Sequence, residues 1–555
     1  MPANSTELTS ASGEAPARVA VDVRRFPWIR TLAADYAYDF PSVAPFFAGN
    51  PTDPQAWKEV IARTQAHGRD WSRIAAVIAE QQARRGAPVE AREAGARLAD
   101  PATVAVLTGQ QAGLFGGPMF TLFKALTALK LADQVRRDHG VPCVAIFWID
   151  AEDHDWDEVR SCTVFDQALA THAASLPVRR DDDPAPVATV AIDGSITAVL
   201  DALEQQLPDT EFRADILIAL RQAYAPGARM AEAFGVWLER ILGSKGLVVY
   251  DASDPASKPL ASQVFARELD TPGETSRRAA QAGAALAARG YHAQVQTQPD
   301  ALALFHISPG RRGIRFQDGQ LVVGNDRRSP AALQQEALEH PDHFSPNVLL
   351  RPIVQDTVFP TVCYVAGPSE LAYLAQLRGV YEHFGVPMPL MYPRATATLL
   401  DSGAMRFLAK YDVALEQLQA QDEAALNALL RAQIPERVEV AFSEASRAIE
   451  SQMHLVIEAI PAIDPTLEQT ARSTLSRMQH DLQTLHGKMI SAAKRRDDTL
   501  RRQFTRTRAL AFPDGHPQER TIGFVSFLNQ YGPSLVDRLD AQLPLDLGRH
   551  WILTV

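Results

Sequence analysis

The chain has 555 residues, of which 46% are apolar and 22% are charged. That composition is typical of a globular protein with three or four structural units, and it excludes a chain that is disordered throughout. The formal net charge of -11 argues against a protein that wraps nucleic acid. Three dispersed cysteines without a CxxC pair disfavour a disulfide framework and indicate a reducing, cytoplasmic location. No stretch approaches the roughly 18 apolar residues of a membrane span.

The N-terminal part predicts a tail, a helical region and the start of a parallel sheet. Residues 1–20 lack both a basic start and an apolar run, so they predict a disordered tail rather than a secretory signal. Helical patterns fill residues 21–100 and include the run 53–85. A strand, a glycine-rich turn, a helix and a second strand then predict a βαβ unit, with these elements at residues 103–109, 119–138 and 142–149.

The middle of the chain is mixed, and the alternation of strand and helix then returns. Helices are predicted at 212–224 and 228–243, and a buried strand at 246–251. Within a small β insertion at 290–325, Asp318 and Gly319 separate two alternating runs and predict a hairpin. The later elements are a strand leading into a helix that ends at Phe384, and a further strand at 388–393.

The last third predicts a helical hairpin. Helical patterns cover 404–431 and 438–460, and Asp464 and Pro465 are a good N-cap and first-turn pair for a long third helix. Two such helices predict an antiparallel coiled coil, which serves as a dimer arm or a strut. Seven lysines and arginines at 494–508 indicate a solvated helix face or an anion or partner site. The heptad positions of the third helix are Leu467, Ala471, Leu475, Met478, Leu482, Leu485 and Met489.

The first candidate site is the glycine-rich turn of the βαβ unit. Glycines let a backbone approach a ligand closely, and amides at a helix N-terminus attract phosphate or carboxylate. The turn matches neither GxGxxG nor GxxxxGK[ST], so ligand binding and tight packing both remain possible explanations. Lys124, in the helix that follows, either reaches an anion or faces solvent. The candidate nucleotide- or substrate-binding residues here are Thr108, Gly109, Gln110, Gln111, Gly113, Gly116, Gly117 and Lys124.

The second candidate site is an acidic run directly after the second strand of the βαβ unit. Adjacent ionisable groups at a strand end are costly unless they are solvated or paired with a cation. Asp153 or Asp155 is expected to bind Mg²⁺ or an amine, with His154 as a base or hydrogen-bond donor. The alternative is an acidic, solvated loop. The candidate catalytic residues are Glu152, Asp153, His154 and Asp155.

Further binding candidates accompany the later strands. Arg351 either binds a carboxylate or phosphate or pairs with Asp356. Ser369 is expected to cap the helix that follows the strand at 361–366. Arg394 follows the last predicted strand and either contacts a ligand or forms a salt bridge. The candidates in this part are Arg351, Asp356, Gly367, Ser369, Glu370 and Arg394.

Several familiar motifs are missing from the sequence. It contains no GxSxG and no HExxH, and its 14 histidines show no metal-ligand spacing. Since the cysteines are also few and dispersed, we expect no zinc site and assign no metal ligand.

Four segments give the chain its resemblance to a known family. The first three are TGQQAGLFGGPMFTLFKALTALKLA from Thr108, FWIDAEDHDWDEV from Phe147 and LRPIVQDTVFPTVCYVAGPSELAYLAQL from Leu350. With the closing PQERTIGFVSFLNQYG, they resemble the BshC family of cysteine ligases in bacillithiol biosynthesis. The resemblance runs over most of the chain. Ala151 and Phe123 depart from residues found in some members, and neither departure removes a candidate.

The resemblance implies an α/β fold with a Rossmann-like nucleotidyltransferase core, inserted connecting-peptide regions and a C-terminal antiparallel α-helical coiled coil that supports a homodimer. The implied core is similar to that of class I aminoacyl-tRNA synthetases, although their signature histidine motif is absent. By position, the glycine-rich turn would then lie beside ATP, and the acidic run beside the amino acid or sugar. The implied division is a disordered tail (1–20), helices and the first half of the core (21–160), an insertion (161–345), the second half of the core (346–400), the coiled coil (401–510) and a C-terminal segment that packs back on the core (511–555).

The resemblance also implies a reaction. An ATP-dependent ligase would join L-cysteine to glucosaminyl-malate through an amide bond, with Mg²⁺-ATP activating the cysteine carboxylate as an adenylate or an acyl phosphate. His154 or a neighbouring acid would take the ammonium proton. Two other functions stay open, a non-catalytic nucleotide-binding scaffold for a thiol-biosynthesis complex and a sugar-nucleotide transferase. Neither nucleic acid nor a membrane is expected as a partner.

Overall fold

The computed structural model describes residues 18–179, 185–307, 310–433, 436–496 and 498–555. These residues form two compact units, the first comprising residues 18–399 and 517–555 and the second residues 400–516. Most of the predicted tail, residues 1–17, lies outside the described part. None of the helices in the described part is long and apolar enough to cross a bilayer.

In the described part of the chain, the strands belong to the first unit, except that Leu400, the last residue of the strand at 396–400, belongs to the second. In chain order they are β1 (Arg18–Asp22), β2 (Val104–Gln111), β3 (Cys143–Asp150), β4 (Ser161–Phe165), β5 (Thr171–Ser175), β6 (Val248–Asp251), β7 (Ala301–Ile307), β8 (Arg311–Gln317), β9 (Gln320–Val323), β10 (Asp326–Arg328), β11 (Phe344–Pro346), β12 (Thr361–Ala366), β13 (Leu390–Pro393), β14 (Thr396–Leu400) and β15 (Arg549–Thr554).

The α-helices surround these strands in the first unit and form the second unit. In chain order they are α1 (Thr31–Tyr38), α2 (Phe40–Val43), α3 (Pro54–Ala66), α4 (Trp71–Arg85), α5 (Val89–Ala96), α6 (Met119–His139), α7 (Trp156–Val159), α8 (Ser195–Gln206), α9 (Arg213–Ala223), α10 (Met230–Leu242), α11 (Ser262–Asp270), α12 (Glu274–Ala287), α13 (Pro330–Glu339), α14 (Arg351–Val358), α15 (Pro368–Leu374), α16 (Arg378–Phe384), α17 (Ser402–Tyr411), α18 (Ala424–Ala432), α19 (Glu436–Ala459), α20 (Glu468–Arg496), α21 (Asp498–Ala511), α22 (Gln518–Thr521), α23 (Phe524–Tyr531) and α24 (Ser534–Gln542).

A parallel five-stranded sheet forms the centre of the first unit, which confirms the predicted α/β class. Its strand order is β13–β12–β2–β3–β6, and every neighbouring pair is parallel. β3 and the first half of β2 are apolar, and both strands are buried along most of their length, as expected for strands covered on both faces. β6 lies within the range predicted as an insertion, so the core sheet takes one strand from that region.

Helix α6 connects β2 to β3 and confirms the predicted βαβ unit. It packs against both strands, and its buried residues extend over most of its length. Gly140 ends the helix in the left-handed conformation with a φ of 66°. That conformation suits glycine, which has no Cβ to clash with the preceding turn.

The insertion contains an antiparallel sheet with the order β10–β9–β8–β7–β11. Asp318 and Gly319 join β8 to β9 with φ values of 51° and 75°, which confirms the predicted hairpin. Positive φ at both turn residues matches the right-handed twist of the flanking strands.

The predicted N-terminal tail is wrong at its last residues. Arg18–Asp22 forms β1, which pairs antiparallel with β15 near the other end of the chain. β15 also pairs with β14 in a three-stranded sheet. A short edge strand of this kind is stabilised by a partner far along the chain, so its own residues do not predict that it forms a strand.

Three long predicted helices are interrupted. The run 53–85 divides into α3 and α4. α3 ends at Ala66 with His67 in an extended conformation, and Asp70 caps α4 by accepting from the Arg73 N–H at 3.1 Å. The helix predicted to end at Phe384 divides into α15 and α16. The run 404–431 divides into α17 and α18, with a 3₁₀ turn at Leu415–Leu418 between them.

Helices α19 and α20 form the predicted antiparallel hairpin of the second unit. Glu439 near the start of α19 lies 3.0 Å from His486 in the second half of α20, so the two helices run in opposite directions. Ala471 of the heptad is buried, but Met478, Leu485 and Met489 remain 44%, 52% and 41% exposed. The heptad therefore presents an apolar face that the hairpin itself leaves uncovered. Part of the basic cluster predicted at 494–508 lies outside the described side chains.

The three cysteines are free thiols, and all are buried. Burial raises the pKa of Cys143 and of Cys162 to about 12. Thiols of this kind stay protonated at neutral pH and are poor nucleophiles, so these cysteines serve packing rather than chemistry.

Candidate active site

A cavity of about 340 Å³ opens at the carboxyl ends of the central strands. The chain passes from β2 to β3 and β6 on one side of the sheet, then returns to β12 and β13 on the other. The cavity is therefore beside the point where the strand order reverses, which is where open parallel sheets bind ligands. Its volume lies within the range of small-molecule sites.

The cavity brings together most of the residues predicted from four separate strand ends. Those that line it are Gly109, Gln110, Gln111, Lys124, Glu152, Asp153, Arg351, Gly367, Ser369, Glu370 and Arg394. Thr108, Gly113, Gly116, Gly117, His154, Asp155 and Asp356 do not line it. The candidate set thus divides into cavity residues and residues with local structural contacts.

The glycine half of the turn serves packing instead of lining the cavity. Gly116 has a φ of 94°, and a Cβ there would lie 2.2 Å from the ring of Phe524. The first amide of α6, that of Met119, donates to the Ile522 carbonyl at 2.8 Å. Gly113 and Gly117 pack against each other, with only 3.0 Å between an added Cβ at the first and the Cα of the second. The expected phosphate contact at these three glycines therefore does not fit this geometry.

Thr108 is also committed to the sheet. Its hydroxyl is buried and donates to the Val365 carbonyl of β12 at 3.0 Å. The side chain therefore joins β2 to β12 beneath the cavity instead of facing a ligand.

The second half of the acidic run lies on the surface. Asp155 caps α7, where its Oδ1 accepts from the Glu158 N–H at 3.1 Å. His154 is more than half exposed, and its Nδ1 lies 3.0 Å from Asp153 Oδ1. Local capping and solvation thus account for Asp155 and His154, and only Glu152 and Asp153 of the run reach the cavity.

Arg351 and Asp356 do not pair with each other. Arg351 forms an ion pair with Asp150 at the end of β3, while Asp356 lies one helical turn further along α14, facing the core. The Tyr381 hydroxyl donates to Asp356 at 2.5 Å. Burial raises the pKa of Asp356 to about 7, which the hydrogen bond from Tyr381 opposes.

Ser369 is not the helix cap that was expected. The N-cap of α15 is Gly367, and the Glu370 carboxylate accepts from the Gly367 N–H at 2.6 Å. Pro368 occupies the first helical position, for which its fixed φ is suited. Ser369 therefore follows in the first turn, where it lines the cavity.

Lys124 faces the cavity instead of solvent. Its ammonium group donates to the Gly109 carbonyl at 2.7 Å and to Gln110 Oε1 at 3.0 Å, and it pairs with Glu370 at 2.6 Å. Burial lowers the pKa of Lys124, and the Glu370 charge partly offsets that effect. The lysine thus connects the ends of β2 and β12.

Ion pairs satisfy most of the charged groups in and around the cavity. Lys258 and Arg311, both from the insertion, pair with Glu152 and Asp153 of the acidic run. The pairs are Asp150–Arg351, Glu152–Lys258, Asp153–Arg311 (2.9 Å), Glu370–Lys124 (2.6 Å) and Glu519–Arg394 (2.7 Å).

Two charged groups of the cavity are left over. Within the described residues, the Arg520 guanidinium has no ion pair and no side-chain hydrogen bond, and its pKa is lowered by burial and by the nearby charge of Arg394. Glu158 has no cationic partner there either and bonds only to Gln111. Burial raises the pKa of Glu158, and the negative charges of neighbouring aspartates act in the same direction. Both side chains are exposed to solvent, and the Arg520 guanidinium lies 6.0 Å from the centre of the Phe120 ring. Among the described residues, the cavity therefore offers one cation and one carboxyl group without an ion pair.

Sequence reasoning did not select Arg520, Glu158, Lys258 or Arg311. Arg520 and Glu158 lie inside segments that carry the family resemblance, so those segments contained a usable signal. Lys258 and Arg311 lie in the insertion, where no motif marks them. Their place in the site follows only from the folded contacts.

The strand order and the cavity at its reversal point place the first unit among Rossmann-like, ligand-binding α/β proteins. A family model described as the N-terminal Rossmann-like domain of bacillithiol biosynthesis BshC matches residues 20–395. A second, described as the C-terminal coiled-coil domain of BshC, matches residues 397–555. The chain belongs to the BshC family.

Curated relatives cover nearly the whole chain. A protein of Salinibacter ruber is 33% identical over 94% of this chain and 96% of its own length. One of Symbiobacterium thermophilum is 31% identical over 93% of this chain and 96% of its own. One of Chlorobaculum tepidum is 33% identical over 80% and 81%. All three bear the name "Putative cysteine ligase BshC".

Proposed function

We propose that this protein is a ligase that uses Mg²⁺-ATP to join the carboxylate of cysteine to the amine of glucosaminyl-malate. The names of its relatives supply the cysteine ligase activity, and the family description supplies the pathway. The observation that carries the proposal is that Arg520 and Glu158, both solvent-exposed, line the switch-point cavity without an ion-pair partner among the described residues. A ligase of this kind must hold an anion and take a proton from an ammonium group.

The chemistry assigns a task to each of these groups. A carboxylate is a poor electrophile, so ATP would supply a leaving group for the cysteine carboxyl carbon. The amine nitrogen then forms the new C–N bond, the C–O bond to the leaving group breaks, and the amine loses its proton. Glu158 is the proposed proton acceptor, since its raised pKa brings it toward the working pH. Arg520 is the proposed anion contact, because a guanidinium binds carboxylate or phosphate through two parallel hydrogen bonds.

The paired charges position these two groups. The pairs Asp153–Arg311 and Glu370–Lys124 fix the walls of the cavity with ionised hydrogen bonds of 2.9 and 2.6 Å. Such bonds are stronger than those between neutral partners, and in this site they hold loops from different strands together. Asp153 is accordingly proposed as a positioning residue that acts through Arg311.

The fit of Mg²⁺-ATP depends on the same residues. Arg520 and the hydroxyl of Ser369 are suited to phosphate oxygens, whereas Gly113, Gly116 and Gly117 do not line the cavity. Mg²⁺ usually travels with the phosphates and keeps several waters, so it needs no cage of protein ligands.

The test is a mass-spectrometric assay of the purified protein with Mg²⁺-ATP, cysteine and glucosaminyl-malate. We expect bacillithiol in wild type and a loss of at least ~100-fold in Glu158→Gln, in the range assigned to a general base. Glu93→Gln, an exposed change on α5, is the matched control and should retain activity. Release of AMP would identify an adenylate route, and release of ADP an acyl phosphate.

Two outcomes would overturn the proposal. Bound nucleotide without any product would favour a non-catalytic scaffold. A product that forms without cysteine would favour a sugar-nucleotide transferase.

We also propose that the hairpin of α19 and α20 mediates a homodimer. Its uncovered apolar side chains include Val456, Met478, Leu485 and Met489, each more than 40% exposed. Apolar side chains that recur at heptad spacing are the surface on which a second helical hairpin packs.

A further inference from the structure

Three potential metal ligands converge in the insertion, outside the candidate active site. They are His306 at the end of β7, Glu336 on α13 and His343 in the turn that precedes β11. His306 Nε2 lies 3.1 Å and His343 Nδ1 lies 2.7 Å from the same oxygen, Oε1 of Glu336. Each residue offers a ligand atom, and these atoms all lie within 4.8 Å of one another.

The spacing of these atoms is close to that of a metal centre. Ligand atoms bound tetrahedrally at about 2.1 Å lie roughly 3.4 Å apart. The present separations of 3.1 and 2.7 Å therefore need to widen by less than 1 Å to admit a cation. Two imidazoles and one carboxylate form a donor set that suits zinc-like divalent transition metals, and they leave a fourth position for water or another ligand.

Burial also directs His306 toward this position. The residue is 3% exposed, and its Nδ1 has no hydrogen-bond partner among the residues that the structure describes. Within the described part of the chain, the one polar contact of its ring is that of Nε2 with Glu336. For a cation to bind at Nε2, the ring proton must lie on Nδ1, where no described residue competes for it.

Neighbouring groups add to the cluster. His340, Asp342 and His343 form a second set of ligand atoms that meets the same distance limit, so the two sets share His343. Arg328 donates to the other Glu336 oxygen at 2.6 Å, which fixes the orientation of the carboxylate while leaving Oε1 for the metal. Contacts of this kind around a ligand are common in metal sites.

We propose that His306, Glu336 and His343 bind a divalent transition-metal ion of the zinc class. The sequence showed no metal spacing because these ligands come from three separate elements. The site adjoins β11, whose Phe344 carbonyl accepts from Lys258 and whose Pro346 carbonyl accepts from Arg311, each at 3.0 Å. The ion thereby stabilises the strand against which two cations of the candidate active site are held. This proposal does not depend on the proposed reaction.

The experiment uses the full chain without an affinity tag, stripped of metal by chelation. It is titrated with Co²⁺, whose visible absorption reports nitrogen and oxygen ligation, and then with Zn²⁺ in competition. We expect one tight equivalent, displaced by Zn²⁺, and a rise in melting temperature with added Zn²⁺. His343→Ala and Glu336→Gln should each weaken binding by at least ~10-fold, and His292→Ala, an exposed histidine of the same unit, should not.

Each result decides the matter. Circular dichroism identifies a variant that fails to fold. If His343→Ala fails to fold, the more conservative Glu336→Gln still tests the proposal. Binding that is equally tight in wild type and in both variants would overturn the assignment to these ligands. If wild type binds no metal ion, the three side chains serve only to hold β7, α13 and the turn before β11 together through hydrogen bonds.

Discussion

Replacing Lys258 by methionine tests the buried ion pair beneath the candidate active site. Lys258 and Glu152 are only 5% and 7% exposed, and the lysine also donates to the Phe344 carbonyl at 3.0 Å. Removing the lysine leaves a buried carboxylate without its nearest cation. Changes of this type cost about 4 kcal/mol of unfolding free energy.

The double variant Glu152→Gln with Lys258→Met is the matched control. It removes both charges and loses mainly the hydrogen bond to Phe344, so we expect a cost of about 1 kcal/mol. The double variant should thus be about 3 kcal/mol more stable than Lys258→Met alone. Urea unfolding followed by tryptophan fluorescence measures these differences.

The cost of Lys258→Met should also depend on pH. Burial already raises the pKa of Glu152, and Lys258 is the first group that opposes this shift. Without the lysine, the carboxyl binds its proton more tightly in the folded state than in the unfolded chain. Stability is then retained at low pH and lost as the pH rises through the folded pKa, so the deficit should be larger at pH 8 than at pH 5. A double variant as unstable as the single one, or a deficit equal at both pH values, would refute the reasoning.

Three further predictions concern other parts of the chain. Asp155→Ala should cost about 1 kcal/mol in urea unfolding, because it removes the cap of α7. Since α7 carries Glu158, this change should also lower product formation, but far less than Asp153→Asn does; a larger loss in Asp155→Ala than in Asp153→Asn would contradict the site. The pKa of Asp356 is about 7 in the folded protein against an ordinary 3.8, so its protonated carboxyl stabilises the fold fully below pH 3.8, and this contribution is lost as the pH rises through 7. Asp356→Asn should therefore lose less stability than wild type over this pH range. Urea profiles that change with pH in the same way for both proteins would contradict this prediction. Leu485→Asp should halve the mass seen by light scattering without changing helicity, and an unchanged mass would place the dimer contact elsewhere.

Local patterns in the sequence were sufficient to predict the central βαβ unit and the sheet edge at which the cavity opens. An apolar strand, a turn and a helix ending at Gly140 are determined by neighbouring residues, and parallel strands must share one carboxyl edge. That rule placed Gln110, Asp153 and Ser369 in one cavity although they are far apart along the chain.

Pairings over long distances escaped the sequence analysis. The strand Arg18–Asp22 depends on a partner near residue 550, and Gly116 is required by the ring of Phe524. Lys258 and Arg311 enter the site only because the insertion folds against the acidic run. Such contacts depend on tertiary structure, and no periodic pattern in a single sequence predicts them.

The role of Arg520 is the most direct test of the central claim that the switch-point cavity is the substrate site. Calorimetric titration with glucosaminyl-malate and with Mg²⁺-ATP would compare wild type, Arg520→Ala and the control Arg92→Ala, which removes an exposed arginine from α5. A hydrogen bond to a charged group contributes about 1.5–3 kcal/mol, so Arg520→Ala should weaken one of the two ligands by at least ~10-fold, while Arg92→Ala leaves both unchanged. If Arg520→Ala binds each ligand as tightly as wild type does, the account is contradicted.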